Sequence, residues 1–181
     1  MADLTQTRMT VAEFKQLPES SEHIELVDGE IVMSPTPKYK HQRLIFPLAQ
    51  LLDQLTNTGS VVVSPMDVYL DNENVVQPDV FWVSGPDSRC QLGEDDYWHG
   101  APDLVVEVLS PGTALRDKTV KFDLYEKCGV REYWLIDPEA QYVEVWRLEN
   151  GQFRRVGVFG KNDEFESPVL GQLVKVAVLF A

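Results

Sequence analysis

The chain has 181 residues, 44% of them hydrophobic and 10% aromatic, a length and composition that suit a single domain over 1–181 with a substantial core. Its 29 acidic and 16 basic side chains leave a formal net charge of −13, which excludes a global cationic field for nucleic acid or an anionic membrane. Any nucleic-acid role must then rest on a local basic patch or a metal ion, with affinity that falls as salt rises.

No apolar run approaches the roughly 18 residues of a membrane span, and the opening MADLTQTRMT carries no hydrophobic leader segment. Cys90 and Cys128 show no pairing pattern, which points to a reducing compartment. A soluble, cytoplasmic protein with no membrane partner is expected.

In chain order, Thr10 to Leu17 predicts a short helix, with Thr10 as cap, Glu13 three residues later and Pro18 beyond its end. HIELVDGEIVMSP alternates around Asp28-Gly29, a strong hairpin signal, and places Glu25 and Glu30 in the two arms. PKYKHQR gathers two lysines, a histidine and an arginine at the mouth of a second helix, from about His41 to Leu55. Pro47 is awkward inside that helix and implies a later start or a kink. His41 falls in its first turn, where it can meet a phosphate or belong to a solvated basic turn.

Val61 to Val63 and Val68 to Leu70 read as two strands or one bent strand, and Val80 to Val83 as a strand with Asp79 at its entrance. The acidic stretch from Gly85 to Gly100 reads as a loop, solvated or covering a site. Leu104 to Leu109 has the Val- and Leu-rich pattern of a strand buried on both faces, yet contains Glu107, a carboxylate whose burial requires a compensating cation or proton. A helix from about Ala114 to Cys128 follows, ending at Gly129, with Val120, Leu124, Tyr125 and Cys128 on its apolar stripe. Lys121, on the edge of that stripe, can bring its ammonium toward the strand end or pair with Asp117 in solvent. After Asp137-Pro138, YVEVWRL and FRRVGVF read as antiparallel strands around Glu149-Asn150-Gly151, and VKVAVLF as a closing strand or short helix.

Two Pro-Asp dipeptides compete to place a carboxylate beside Glu107. Asp103 shares its strand, but at about 3.3 Å per residue the two stand about 13 Å apart, too far for one ion with oxygen ligands near 2.1 Å. Asp79 belongs to another strand, and neighbouring strands lie about 4.8 Å apart. Asp79 is therefore the partner, provided its strand pairs beside that of Glu107.

The ordered set Pro78-Asp79, Glu107 in its hydrophobic strand, Ser110-Pro111, Asp117, Lys121, Tyr125, Gly129-Val130, Tyr133-Trp134 and Asp137-Pro138 resembles the Uma2 family of restriction endonuclease-like proteins. ELVDGEIVMSP followed by His41, and the late Leu170-Gly171, belong to the same resemblance, which spans nearly the whole chain. That family is similar to the PD-(D/E)XK nucleases. The resemblance implies an α/β fold with an αβββαβ core, a central mixed sheet flanked by helices, an N-terminal β-hairpin and extra C-terminal antiparallel strands. It also implies a Mg²⁺-dependent endonuclease, with Mn²⁺ as substitute, acting on nucleic acid, DNA first, as a homodimer.

On that resemblance Asp79 and Glu107 are metal ligands with the main-chain carbonyl of Val108 as a third, and His41 and Glu25 are accessory residues that orient phosphate or water. The chain departs from the superfamily in one respect: Leu109 stands two residues after Glu107, where the superfamily lysine belongs. The resemblance therefore assigns that role to Lys121, with Lys118 as the fallback. Two rivals remain, a nuclease-fold binding or assembly module without turnover and a hydrolase of small phosphodiesters.

Overall fold

The structure, a computed structural model, describes residues 8–18 and 22–181, so most of the opening MADLTQTRMT lies outside the described residues. The N-terminal part comprises α1 (Val11–Phe14), the hairpin β1 (His23–Val27) and β2 (Glu30–Ser34), and α2 (Tyr39–Leu55). Six strands follow: β3 (Ser60–Val63), β4 (Val68–Tyr69), β5 (Val75–Val76), β6 (Val80–Val83), β7 (Gln91–Leu92) and β8 (Trp98–His99). Next come β9 (Leu104–Val108), α3 (Ala114–Lys118), α4 (Val120–Cys128) and β10 (Glu132–Asp137). β11 (Tyr142–Glu149), β12 (Gln152–Gly160), β13 (Glu164–Ser167), β14 (Gln172–Lys175) and a 3-10 turn (Val176–Phe180) complete the chain.

The central sheet runs β12-β11-β10-β9-β6-β3. β9 pairs parallel with β10 and antiparallel with β6, and β6 pairs antiparallel with β3. In chain order α2, β3, β6, β9, the α3–α4 pair and β10 thus form the expected αβββαβ core. β11 and β12 extend it as antiparallel strands. β9 lies inside this sheet with all five residues buried, which is why its sequence is almost wholly apolar.

Period-two alternation divides β9 between two cores. Leu104, Val106 and Val108 pack with Leu44, Leu48, Leu51 and Leu52 of α2 on one face. Val105 and Leu109 pack with Leu124 and Tyr125 of α4 on the other. A second sheet, β2-β1-β5-β4-β8-β7, contributes Val27, Val68 and Val76 to that latter core. Glu107 shares the α4 face, so the strand delivers its carboxylate beneath a helix and beside a second sheet.

Local chemistry explains the element ends. Thr10 and Glu13 form a reciprocal capping box on α1. Asp28 and Gly29 turn the hairpin with φ of 48° and 76°. Gly129 ends α4 at φ 90°, and its N–H and that of Val130 donate to the Tyr125 carbonyl.

Three expectations are revised. α2 starts earlier, at Tyr39, and runs through Pro47, whose missing bond would fall on the carbonyl of exposed Arg43, where water can replace it. The helix read as continuous from Ala114 to Cys128 breaks at Thr119, φ −127° and ψ −81°, whose hydroxyl donates to the Leu115 carbonyl. The break re-aims α4, leaving Val120 45% exposed and placing Lys121 with Leu124 and Tyr125 on the buried side. The stretch from Gly85 to Gly100 carries the short strands β7 and β8, too brief to show periodicity.

Cys90 is buried, Cys128 half-buried, and both are free thiols. No helix among the described residues is long and apolar enough to cross a membrane.

Leu48 is fully buried between α2 and the sheet. Leu48→Ala is expected to lower the unfolding free energy by about 2–5 kcal/mol. Gln50→Ala, on the exposed side of the same helix, should stay within about 0.5 kcal/mol. Urea denaturation of both variants checks this, and a loss in both or in neither would contradict the packing described.

Candidate active site

Asp79 stands one residue before Val80, whose partner across the β6–β9 ladder is Val106, so Asp79 falls opposite Glu107. The Asp79 backbone N–H points at Glu107 Oε2, 3.4 Å away, and Asp79 Oδ2 accepts from the Val108 N–H at 2.7 Å. The strand adjacency that the carboxylate argument required is present. Asp103, the rejected competitor, accepts from the Ser84 N–H at 2.8 Å and from Arg131 at 3.0 Å. Burial alone would raise its pKa, but the Ser84, Ser88 and Arg131 contacts outweigh that and hold it below the usual carboxylate range.

Lys121 reaches the same place from α4. Its ammonium lies 2.9 Å from Glu107 Oε1 and 2.9 Å from Glu25 Oε1, with the residue only 3% exposed. The solvent pairing with Asp117 is thus replaced by a buried double ion pair, and Asp117 is itself buried. Burial would lower the Lys121 pKa, but Glu107, Glu25 and Asp117 together hold it above the ordinary lysine range. Lys118 is exposed and its ammonium faces the Tyr142 hydroxyl at 3.4 Å, away from the carboxylates.

His41 is buried, with Nε2 2.9 Å from Asp79 Oδ2 and Nδ1 without a hydrogen-bond partner. It therefore meets a carboxylate rather than standing in a solvated turn. Glu25 leaves the hairpin as a buried residue and accepts the Gln77 N–H at 2.8 Å, besides pairing with Lys121. Glu30, in the other arm, is exposed.

Three residues complete the site that the sequence reading left without a role in it. The Tyr125 hydroxyl donates to Glu107 Oε1 at 2.8 Å. Arg116 donates to Ser34 Oγ at 2.6 Å and stands 3.5 Å from Glu25 Oε2. Gln77 joins Glu25 to His23 and Asp67, at 2.9 and 2.7 Å from its side chain. Tyr125 looked like core, and the signal that could have found it is its spacing four residues after Lys121, on the same helix face. Arg116 lies before the break at Thr119 and Gln77 on another part of the chain, and neither has such a signal.

Glu25, His41, Gln77, Asp79, Glu107, Arg116, Asp117 and Lys121 line one cavity of about 290 Å³, with Pro35, Pro37 and Pro111 also in its lining. Tyr125 supports Glu107 from behind it. Glu94, Asp95 and Asp96 of the acidic stretch do not line it; Asp95 pairs instead with Lys15 and His99. Burial pushes Glu107 up to about 8, opposed by Lys121 and reinforced by Asp79, Asp117 and Glu25. Burial likewise raises Asp117. Four carboxylates thus share the cavity with Lys38, Arg116 and Lys121, and their crowding favours a proton on Glu107 that a bound cation could replace.

Known proteins resemble this chain in sequence or in fold. An uncharacterized protein of Synechocystis is 29% identical over 164 residues, covering 87% of this chain and 92% of that relative. A crystal structure of a "putative nuclease belonging to DUF820" from Anabaena variabilis superposes with a TM-score of 0.78 at 23% identity, over 95% of this chain and 97% of that one. At that identity the likeness carries the fold. The Uma2 family model, described as "Putative restriction endonuclease", matches residues 11–178. Together with the αβββαβ core and the ordered motif residues, that match over nearly the whole length places this chain in the Uma2 family.

Proposed function

We propose that the chain is a metal-dependent endonuclease that hydrolyses phosphodiester bonds of nucleic acid, with DNA as the first substrate to test. The observation that carries this reading is the convergence, in one cavity, of Asp79 and Glu107 from adjacent strands with the ammonium of Lys121. Among the described residues no three His, Cys, Asp or Glu groups form a ready cage for an ion. Mg²⁺ does not need one, because it keeps several waters and binds through one or two carboxylates plus substrate phosphate.

Charge supports the fit. Glu25, Asp79, Glu107 and Asp117 line the cavity, and the permanent cations that line it are Lys38, Arg116 and Lys121. Asp79 and Glu107 would hold Mg²⁺, or Mn²⁺ in its place, with the Val108 carbonyl as a third oxygen. When bound, the ion would supply a water of lowered pKa and neutralise charge on the phosphoryl group.

The side chains have separable roles in this reading. Lys121, kept protonated by its carboxylate neighbours, acts as a fixed positive charge for the phosphoryl oxygens rather than as a base. Glu25 sets the position of that ammonium, itself anchored by the Gln77 N–H. His41 orients Asp79, and Tyr125 orients Glu107. A second reading, a binding or assembly module without turnover, is favoured by the net charge of −13, and the same experiments decide against it or for it.

Plasmid, single-stranded DNA, RNA and a chromogenic phosphodiester, each incubated with Mg²⁺ or Mn²⁺, form the first test. Asp79→Ala and Glu107→Ala are expected to abolish cleavage, and Lys121→Ala to slow it by about 10²–10³-fold. Because Lys121→Ala strands two buried carboxylates, it should also cost about 3–5 kcal/mol of stability. Full activity of a folded Lys121→Ala variant would remove that residue from the mechanism. Absence of both cleavage and Mg²⁺ binding in the wild type would leave the module reading.

A second test uses pH. Below a Glu107 pKa of about 8 the folded site holds a proton that a cation must displace. Calorimetric Mg²⁺ affinity should therefore rise with pH and level off above about 8. In the metal-free protein the raised pKa means that the native state binds more protons than the unfolded chain between about 4.5 and about 8, so stability should fall as pH rises through that window. Glu107→Gln should remove both dependences; their persistence would assign them to another group.

A further inference from the structure

The outer face of α2 is built differently from the rest of this acidic surface. Lys38 to Arg43 contains three permanent cations and no carboxylate, against a chain net charge of −13. Lys40 is held by Glu139 at 2.7 Å, whereas Lys38 and Arg43 are exposed and have no carboxylate partner among the described residues. Two aromatic rings stand on the same face: Tyr39 is 80% exposed and Phe46 73%. Tyr39, Arg43 and Phe46 follow i, i+4, i+7 spacing, so they form one stripe of ring, cation and ring along the helix, opposite the leucines of the core.

This stripe adjoins the cavity. Lys38 and Gln42 lie on the cavity rim, and His41 turns inward between them, 8% exposed, with Nδ1 unpartnered. Across the cavity Arg116 presents its guanidinium beside Ser34. The reactive groups themselves are recessed: Glu107 and Lys121 are each 3% exposed. An unpaired strand can bend inward toward such recessed groups, a freedom that the paired backbone of a stiff duplex has less of. Exposed rings offer stacking only to bases that have left a duplex, and cations interleaved with them follow the backbone.

We infer that the outer face of α2 is a track for single-stranded nucleic acid, on which Tyr39 stacks a base while Lys38 and Arg43 hold phosphates and direct the strand into the cavity. The inference rests on the nuclease reading and names its substrate class as unpaired strand, with DNA and RNA sharing the chemistry.

The test measures binding in EDTA, so that it is independent of cleavage and of any metal, and failure of the nuclease reading would appear only in the activity assays. Fluorescence anisotropy with labelled single-stranded DNA, single-stranded RNA and duplex DNA of one sequence should show either single strand binding at least about tenfold tighter than the duplex. Tyr39→Ala should weaken that binding by about tenfold and Tyr39→Phe should restore it. Lys38→Ala and Arg43→Ala should each reduce the salt slope by about 0.7. Tyr39 is 80% exposed, so its variants should keep the wild-type melting temperature. Equal or tighter duplex binding, or full affinity in Tyr39→Ala, would overturn the track. So would light scattering in which Tyr39→Ala or Phe46→Ala converts a homodimer to monomer without changing strand affinity, because the face would then belong to a contact between copies.

Discussion

The ammonium of Lys121, held 2.9 Å from both Glu25 and Glu107, is the interaction on which the rest of the site depends. It joins three separate pieces of the fold: β1 of the second sheet, β9 of the central sheet and α4. Each charge is nearly excluded from water, so each would be costly alone and is tolerable only with the others in place. The apolar cluster that includes Val27, Val105, Leu109 and Leu124 packs these same elements together, so it holds the charged groups in place as well as stabilising the fold. Thr119 matters for the same reason, since the break there turns α4 so that Lys121 rather than Val120 faces inward.

The balance of charge around that pair sets Glu107 apart from Asp103, the buried carboxylate just before its strand. Asp103 and Glu107 lie on the same stretch of chain and are both buried. Asp103 is met by backbone and side-chain donors and by Arg131, and its pKa falls. Glu107 shares its one ammonium with Glu25 and faces Asp79 and Asp117 as well, and its pKa rises. Burial is common to both; the difference is how fully each charge is answered. A group left short of positive charge in a solvent-accessible cavity is one that gains from a cation or an incoming substrate.

Much of the fold was legible from the chain. The uninterrupted apolar run of β9, the Asp28-Gly29 turn and the Asn150-Gly151 turn between β11 and β12 each carry a local signal strong enough to survive in context. The αβββαβ order came from the resemblance. What escaped reading had no local signal. β7 and β8 are two residues each and exist through pairing, and Thr119 breaks a helix whose composition is continuous on both sides.

The sequence by itself determined that Glu107 occupies a buried strand, that Asp103 is too far along that strand to share an ion with it, and that Asp79 opens another strand. Only the tertiary structure decided that β6 lies beside β9, that Lys121 rather than Lys118 points inward, and that Glu25, Tyr125 and Arg116 meet them. The reason is geometric: periodicity says which face of its own element a side chain takes, whereas the identity of the element packed against that face is set by contacts between residues far apart in the chain.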